Sequence, residues 1–377
     1  MNRRDFLYAG AGVALTGGAM AALDRRSHPM AAPDASPPAY SVIPVVGDGR
    51  WIWTEPPDGE TGYLEPRPYD LSVGIKLEGT GDAGGVTSTT AAPLDYPEQK
   101  IESVKIETIG CQARLRRLAD GAGQLVLTAA EIAKGQVVSA VARYRLTLYK
   151  QYHGYGADNF PAKQKIPPDV RKQYLQDSPG IQTRSKQVRQ LTAELTSGTP
   201  KHPWEQVKSF ADWVPKHIKP QIGSYTSVTA ALDDLRGDCE EMAGVFVALC
   251  RAIGVPARLV WIPNHTWAEF FLVDHKNQGH WIPAHTACYS WFGWNGAHEL
   301  VLQKGDRVQL PEKRKLVRLL ADWTQWSGAE PRSQYTAELT PQPNEPGGDP
   351  GPGARRKDEK GEWKVVGGHP LDRLVRR

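Results

Sequence analysis

Cys239 is the residue whose type and position point most directly to chemistry. The sequence places it at the first position of a helix, because Asp238 can cap that helix and Glu241 completes a D-x-x-E capping box. The unpaired N–H groups and the dipole of a first helical turn stabilise a thiolate and could bind an oxyanion. Glu240 and Glu241 oppose this effect, because like charge raises the pKa of a thiol. The alternative interpretation is a small buried apolar residue.

The thiol needs a partner that can become positive, and His265 is the candidate. Residues 264–271 are predicted to form a strand after the strand at 257–262, with Trp267 and Glu269 on the same face as His265. A single strand histidine is more often structural than catalytic. The order of helix-start cysteine, strand and strand histidine nevertheless favours a thiol–imidazole pair.

Four short motifs together make this region resemble the transglutaminase-like superfamily. They are Gly237-Asp238-Cys239 at the helix start, the downstream run ALCRAIGVPARLV, the H-x-W-x-E strand and the W-x-P of the next strand. The resemblance covers roughly residues 185–290. It implies a papain-like catalytic domain preceded by a β-rich domain, with Cys239 as the nucleophile and His265 as the general base and acid.

The third catalytic position departs from the family pattern. The family's returning strand usually reads W-x-P-x-D, and its Asp orients the histidine, whereas residues 281–284 are followed by His285. If the two strands pair so that the numbers of opposite residues add up to an even number, His285 lies on the same face as His265. A neutral imidazole, however, stabilises an imidazolium far less than a carboxylate does. Glu269 lies on that face as a second candidate, and Asp274 is predicted at a solvent-facing hairpin tip. The sequence leaves the histidine-orienting residue open.

A metal site is an alternative interpretation of the same region. The densest set of potential ligands comprises His265, Asp274, His275, His280, His285 and Cys288. The spacing within this set is irregular, whereas zinc sites use ligands at recurrent short spacing. We therefore expect no metal and no other cofactor, and we interpret His275 and His280 as solvated loop residues.

The elements that position these residues fall into two predicted domains. Short alternating stretches separated by Gly-containing turns favour a β-sandwich in the first, and helical periodicity dominates the second. The predicted fold class is therefore α+β, a β-sandwich-like domain followed by a papain-like, transglutaminase-like domain. The predicted division is a signal peptide at 1–21, a Pro/Ala-rich tether at 22–39, the β domain at 40–155, a linker at 156–168, the transglutaminase-like domain at 169–340 and a disordered tail at 341–377.

Charge and the N-terminus indicate the compartment and the partners. The 377 residues carry a net charge of +4, mostly in the two ends, so the body lacks the basic excess of a nucleic-acid groove. Arg3 and Arg4 precede an Ala/Gly-rich stretch with an A-x-A site at 19–21, a pattern typical of twin-arginine export. We expect export to the periplasm or beyond, no nucleic-acid partner and no stable membrane span after signal removal. An essential thiol is compatible with this route, while a Cys111–Cys288 disulfide stays an alternative.

Two functions are consistent with these residues. In the first, Cys239 attacks an amide carbonyl of a peptide or protein, and the thioester passes to water or to an amine. This would be an exported cysteine hydrolase or acyltransferase, either a protease or amidase or a protein-glutamine acyltransferase. In the second, a catalytically inactive transglutaminase-like domain binds peptides or envelope material. His285 at the position of the usual Asp, and the two glutamates beside Cys239, favour the second.

Overall fold

The computed structural model describes most of the chain between Trp53 and Gln342. The described residues are 53, 55–118, 121–221, 226–263, 265–287, 291–311, 315–342, 354–357 and 363–366. The predicted signal peptide and tether lie outside these residues, and so does Cys288 of the alternative disulfide, whereas Cys111 is a free thiol. No helix within the described ranges is long and apolar enough to cross a membrane.

Two antiparallel sheets build one half of the fold. Their strands are β1 (Gly62–Glu78), β2 (Ala83–Ala92), β3 (Gln99–Ile109), β4 (Gln112–Arg117), β5 (Gly123–Ile132), β6 (Val137–Tyr152), β12 (Trp294–Asn295), β16 (Trp323–Gly328) and β17 (Arg332–Pro341). The first sheet has the order β12-β6-β1-β17, with β3 also paired to β6, and the second has the order β16-β2-β5-β4. The alternating stretches at 70–77 and 137–149 of the sequence lie within β1 and β6, as expected for strands.

Alternating side chains of these two sheets share one hydrophobic core. Strand β1 buries Leu71, Val73 and Ile75 at every second position, and β5 contributes Leu125 and Leu127. Because successive strand side chains point to opposite faces, this pattern turns one face of each sheet toward the other. The packing of two antiparallel sheets therefore follows from the period of two in the sequence.

Five helices and a third sheet build the other half. The helices are α1 (Pro168–Tyr174), α2 (Lys186–Ser197), α3 (Pro203–His217), α4 (Val228–Asp234) and α5 (Cys239–Ala252). The third sheet has the order β11-β10-β9-β13, from β9 (Ala257–Ile262), β10 (His265–Val273), β11 (Gly279–Ala284) and β13 (Gln303–Lys304). The short strands are β7 (Lys219–Pro220), β8 (Arg236–Gly237), β14 (Val308–Leu310) and β15 (Lys315–Val317). The architecture is α+β, as the sequence predicts.

The helix that begins at Cys239 is the best buried of the five. It packs on β9 and β10, where the rings of Phe246 and Phe270 lie 6.3 Å apart between centroids. Twelve of its fourteen residues are buried, in keeping with its mostly apolar sequence. Gly254 follows its C-terminus with a φ of +83°, a conformation that favours glycine. The predicted start and end of this helix are confirmed.

The last strands depart from the predicted division. The sequence assigns residues 323–340 to the transglutaminase-like domain, but β16 pairs with β2 and β17 pairs with β1 along ten residues. These partners lie more than 200 positions earlier in the chain, so no local pattern indicates the pairing. The chain therefore returns to the first two sheets after it completes the third.

Part of the predicted disordered tail also has regular structure. The backbone of β18 (Ala354–Lys357) pairs antiparallel with β19 (Trp363–Val366). The β-branched and aromatic residues of the second strand favour this conformation. The other tail residues beyond 342 lie outside the described residues.

Candidate active site

The helix start at Cys239 is built by reciprocal hydrogen bonds. Asp238 Oδ1 accepts from the Glu240 backbone N–H at 2.8 Å, and Glu241 Oε2 accepts from the Asp238 N–H at 2.9 Å. The predicted capping box is thus confirmed, and Cys239 is the first residue of α5 with a half-buried side chain. The thiol therefore lies at the positive end of the helix dipole, which favours negative charge.

Gly237 makes this turn possible. A Cβ at this position would lie 2.4 Å from the Cβ of Glu241, well inside contact distance. Only glycine lets the Glu241 side chain fold back over the chain and reach the cap. The glycine of the G-x-C motif is thus required by the capping geometry.

The two glutamates beside Cys239 are both compensated. The buried Glu240 carboxylate accepts from the Arg318 guanidinium, and Glu241 Oε1 accepts from the Thr226 backbone N–H at 2.9 Å. From the sequence alone, the two charges are expected to oppose a thiolate, because the residues that pair with them lie far away along the chain. With a cation on one and backbone donors on the other, that obstacle is largely removed.

His265 begins strand β10 and is almost completely buried. Burial lowers its pKa to about 4, because a charged imidazolium is poorly solvated there. The imidazole is therefore neutral at neutral pH and able to accept a proton. Helix α5, which starts at Cys239, packs on the same strand.

His285 lies directly after β11 and forms a stack with its neighbours. Its ring centroid lies 6.0 Å from that of His265, 4.8 Å from Trp267 and 4.9 Å from Trp291. The pairing of Ala268 with Ala284 gives the even register sum that the sequence analysis assumed, and it places His285 opposite Trp267. The structure thus brings the two predicted site histidines together. Burial and the neighbouring His265 hold the pKa of His285 well below its ordinary value.

Glu299 is a candidate site residue that the sequence analysis missed. Its Oε2 lies 4.0 Å from His285 Nε2 and accepts from Asn295 Nδ2 at 2.9 Å. Burial raises the pKa of Glu299 to about 7, although the side chains of Asn295 and Trp267 act in the opposite direction. A single glutamate within the apolar run 297–302 is the signal that could have indicated a buried carboxyl group.

The model of the transglutaminase-like superfamily matches residues 189–286 of the sequence. This segment is similar to the transglutaminase-like superfamily. The match contains Cys239, His265 and His285 and ends before Glu299. A comparison with curated proteins gives no significant match.

Two solved structures resemble the chain. A candidate cysteine protease from Cytophaga hutchinsonii aligns with a TM-score of 0.50 and 13% identity, over 76% of this chain and 94% of that protein. It shows that the fold is shared. A candidate protease from Parabacteroides distasonis aligns with a TM-score of 0.24 and 15% identity, over 59% of this chain and 44% of that protein.

Glu269, the alternative histidine-orienting residue, has two other charged partners. Its carboxylate accepts from Arg258 Nη2 at 2.7 Å and from Lys304 Nζ at 2.5 Å. Burial alone would raise the pKa of Glu269, but Lys304 and Arg258 together hold it below its ordinary value. It lies four positions along the strand from His265, a distance of about 13 Å. Glu269 therefore neutralises buried cations and does not orient His265.

Asp274 and His280 form a separate pair at the hairpin of the transglutaminase-like domain. His280 Nε2 lies 2.9 Å from Asp274 Oδ2, and His280 Nδ1 lies 2.9 Å from the Tyr155 hydroxyl. The interpretation of His280 as a solvated loop residue is therefore wrong, because it lies on β11 between these two partners. Within the described residues, no group of three or more His, Cys, Asp and Glu residues could hold a metal ion.

Proposed function

We propose that the chain is an exported cysteine hydrolase or acyltransferase that acts on amide bonds of peptides or proteins. The observation that carries this proposal is the placement of Cys239, half-buried at the start of a capped helix whose neighbouring carboxylates are compensated. That compensation removes one of the two features that favour an inactive binding domain. Export rests on the Arg3-Arg4 pattern, and fractionation of cells that express the full-length chain tests it.

In the proposed reaction, His265 accepts the Cys239 proton. The sulfur then forms a bond to the amide carbon, and the carbonyl electron pair moves to oxygen, where first-turn N–H groups of α5 can donate to it. Collapse of this intermediate breaks the C–N bond, and the His265 imidazolium gives its proton to the leaving amine. Water or an amine then attacks the thioester, loses a proton to His265 and displaces the Cys239 thiolate, which takes that proton back.

We assign stabilisation of the His265 imidazolium to His285 and Glu299. Burial disfavours that cation, so a group of opposite charge has to form close by. Glu299 ionises near neutral pH and lies 4.0 Å from His285 Nε2, and the His285 ring stacks beside His265. In this proposal Glu299 supplies, through His285, the negative charge that the usual Asp supplies directly.

Alkylation of Cys239 by iodoacetamide across pH 5.5–9.5, read by mass spectrometry of its peptide, tests the proposal. An ordinary thiol with a pKa near 8.5 is about 1% ionised at pH 6.5. We expect Cys239 of the unmodified chain to react at least about tenfold faster at pH 6.5 than Cys239 of the His265→Ala variant. His265→Gln provides a variant with less loss of volume, and His217→Ala, which removes an exposed histidine of α3, should leave the rate unchanged.

Two outcomes of this experiment would oppose the proposal. If Cys239 follows an ordinary thiol profile and His265→Ala leaves it unchanged, there is no functional ion pair, and a binding domain is the better interpretation. If His217→Ala slows alkylation as much as His265→Ala, the effect is structural. Peptides that contain Cys111 and the fully buried Cys250 report exposure and unfolding in the same samples.

A further inference from the structure

A basic cavity of about 720 Å³ lies outside the candidate active site. The four exposed cations that line it are Arg171 and Lys172 of α1, Arg184 and Arg189. Ile166 and Leu175 contribute aliphatic surface, and no Asp or Glu is among its lining residues. Two chain segments that are separate in sequence therefore bring positive charge to one concave surface.

These four cations have no carboxylate partner within the described part of the chain, whereas the buried arginine that lies beside them is paired. Arg251, which also lines the cavity, donates to both oxygens of Asp306 at 2.9 and 2.8 Å. Asp177, the acidic residue that follows α1, accepts from the backbone N–H of Thr183 at 3.0 Å and from its hydroxyl. The charge of Arg251 is thus neutralised by Asp306, and the net positive charge of the cavity comes from the four exposed cations.

The cavity is distinct from the site of Cys239. It contacts α5 at its C-terminal end, through Arg251, Ala252 and Gly254, while Cys239 is the first residue of that helix. Fourteen helical residues span about 20 Å. Exposed carbonyl groups at a helix C-terminus contribute about half a negative charge, which is far smaller than the positive charge of the four side chains.

We propose that this cavity binds the diphosphate group of an anionic ligand. Guanidinium forks match phosphate oxygens in geometry, and a diphosphate carries several negative charges, which offset most of the charge of the four cations, whereas a single carboxylate offsets one. The cavity is larger than the diphosphate itself, and its aliphatic surface at Ile166 and Leu175 leaves room for the rest of the ligand. This inference does not depend on the chemistry of Cys239.

Isothermal titration of the full chain with inorganic pyrophosphate tests the proposal. We expect saturable binding that weakens with added salt, and an affinity at least about tenfold lower in the Arg171→Glu/Arg184→Glu double variant. Lys134→Glu makes a charge reversal at an exposed turn between β5 and β6 and should bind as the unmodified chain does. Equal iodoacetamide labelling of Cys250 in all variants checks that they are folded.

A second measurement needs no variant. Pyrophosphate should slow modification of Arg184 and Arg189 by phenylglyoxal at least about threefold, read peptide by peptide, while Arg114 on β4 serves as the unprotected control. Orthophosphate and vesicles that contain phosphatidic acid distinguish a soluble diphosphate from a lipid headgroup. Absence of pyrophosphate binding, or equal loss of affinity in Lys134→Glu, would overturn the proposal.

Discussion

Replacement of Glu299 by glutamine should change how the stability of the protein depends on pH. Burial raises the pKa of this carboxyl group from an ordinary 4.5 to about 7, so the folded protein holds its proton through a range in which the unfolded chain has lost it. The contribution of this group to the free energy of unfolding is therefore complete below pH 4.5 and is lost as the pH rises through 7. The side chain introduced by Glu299→Gln has no proton to lose, and its amide oxygen can still accept from Asn295.

The magnitude follows from the pKa shift. A shift of 2.5 in pKa at 1.36 kcal/mol each corresponds to about 3 kcal/mol, nearly all of it lost between pH 4.5 and pH 7. The free energy of unfolding of Glu299→Gln minus that of the unmodified chain should therefore increase by about 3 kcal/mol from pH 4 to pH 7.5. His265 and His285 also titrate abnormally, but they are common to both proteins, so the difference isolates residue 299.

Urea unfolding followed by tryptophan fluorescence at six pH values measures this difference. Glu131→Gln, which removes an exposed carboxylate on β5, is the matched control and should follow the unmodified chain. A difference that stays constant from pH 4 to pH 7.5 would refute the reasoning. It would mean that folding leaves the pKa of Glu299 near its ordinary value of 4.5, so that the carboxyl group is charged at neutral pH and the neutral form is not the resting state.

Two further substitutions test the supports of the site. Asp306→Asn should lower the free energy of unfolding by about 3–5 kcal/mol in urea, because the completely buried Arg251 guanidinium loses its charged partner. Gly237→Ala should lower it by about 1 kcal/mol or more and slow alkylation of Cys239, because the new Cβ displaces Glu241 from the cap. Gly198→Ala, where nothing lies within 4 Å of the added Cβ, should do neither.

The elements whose signals are local could be predicted from the sequence. Helix α5 starts and ends where the capping box and Gly254 place it, because capping and left-handed turns are decided by residues a few positions apart. The register of β10 with β11 also follows from a short hairpin, and with it the approach of His285 to His265. The part of the candidate site that these local signals position could therefore be predicted from residues close together in the sequence.

The residues that the sequence analysis missed depend on distant contacts. Arg318 donates to Glu240 from 78 positions further along the chain. This contact offsets the negative charge that would otherwise raise the pKa of the neighbouring thiol. Strands β16 and β17 pair with β2 and β1, which lie more than 200 positions earlier in the chain. Such pairings depend on complementary faces of the folded sheets, so a short stretch of sequence does not predict them.

The position of Glu299 connects the first two sheets to the candidate site. Asn295, which donates to Glu299, is a residue of β12, and β12 pairs with the end of β6 at Gln151. Two residues beyond Glu299, the Val301 backbone N–H donates to Gln99 Oε1 at 2.7 Å on β3. The segment that carries the carboxyl group is thus held on both sides by strands of the first sheet. A histidine at position 285 can take the place of an aspartate only if another buried carboxyl group is held next to it, and strands β3 and β6 provide the fixed support for that group.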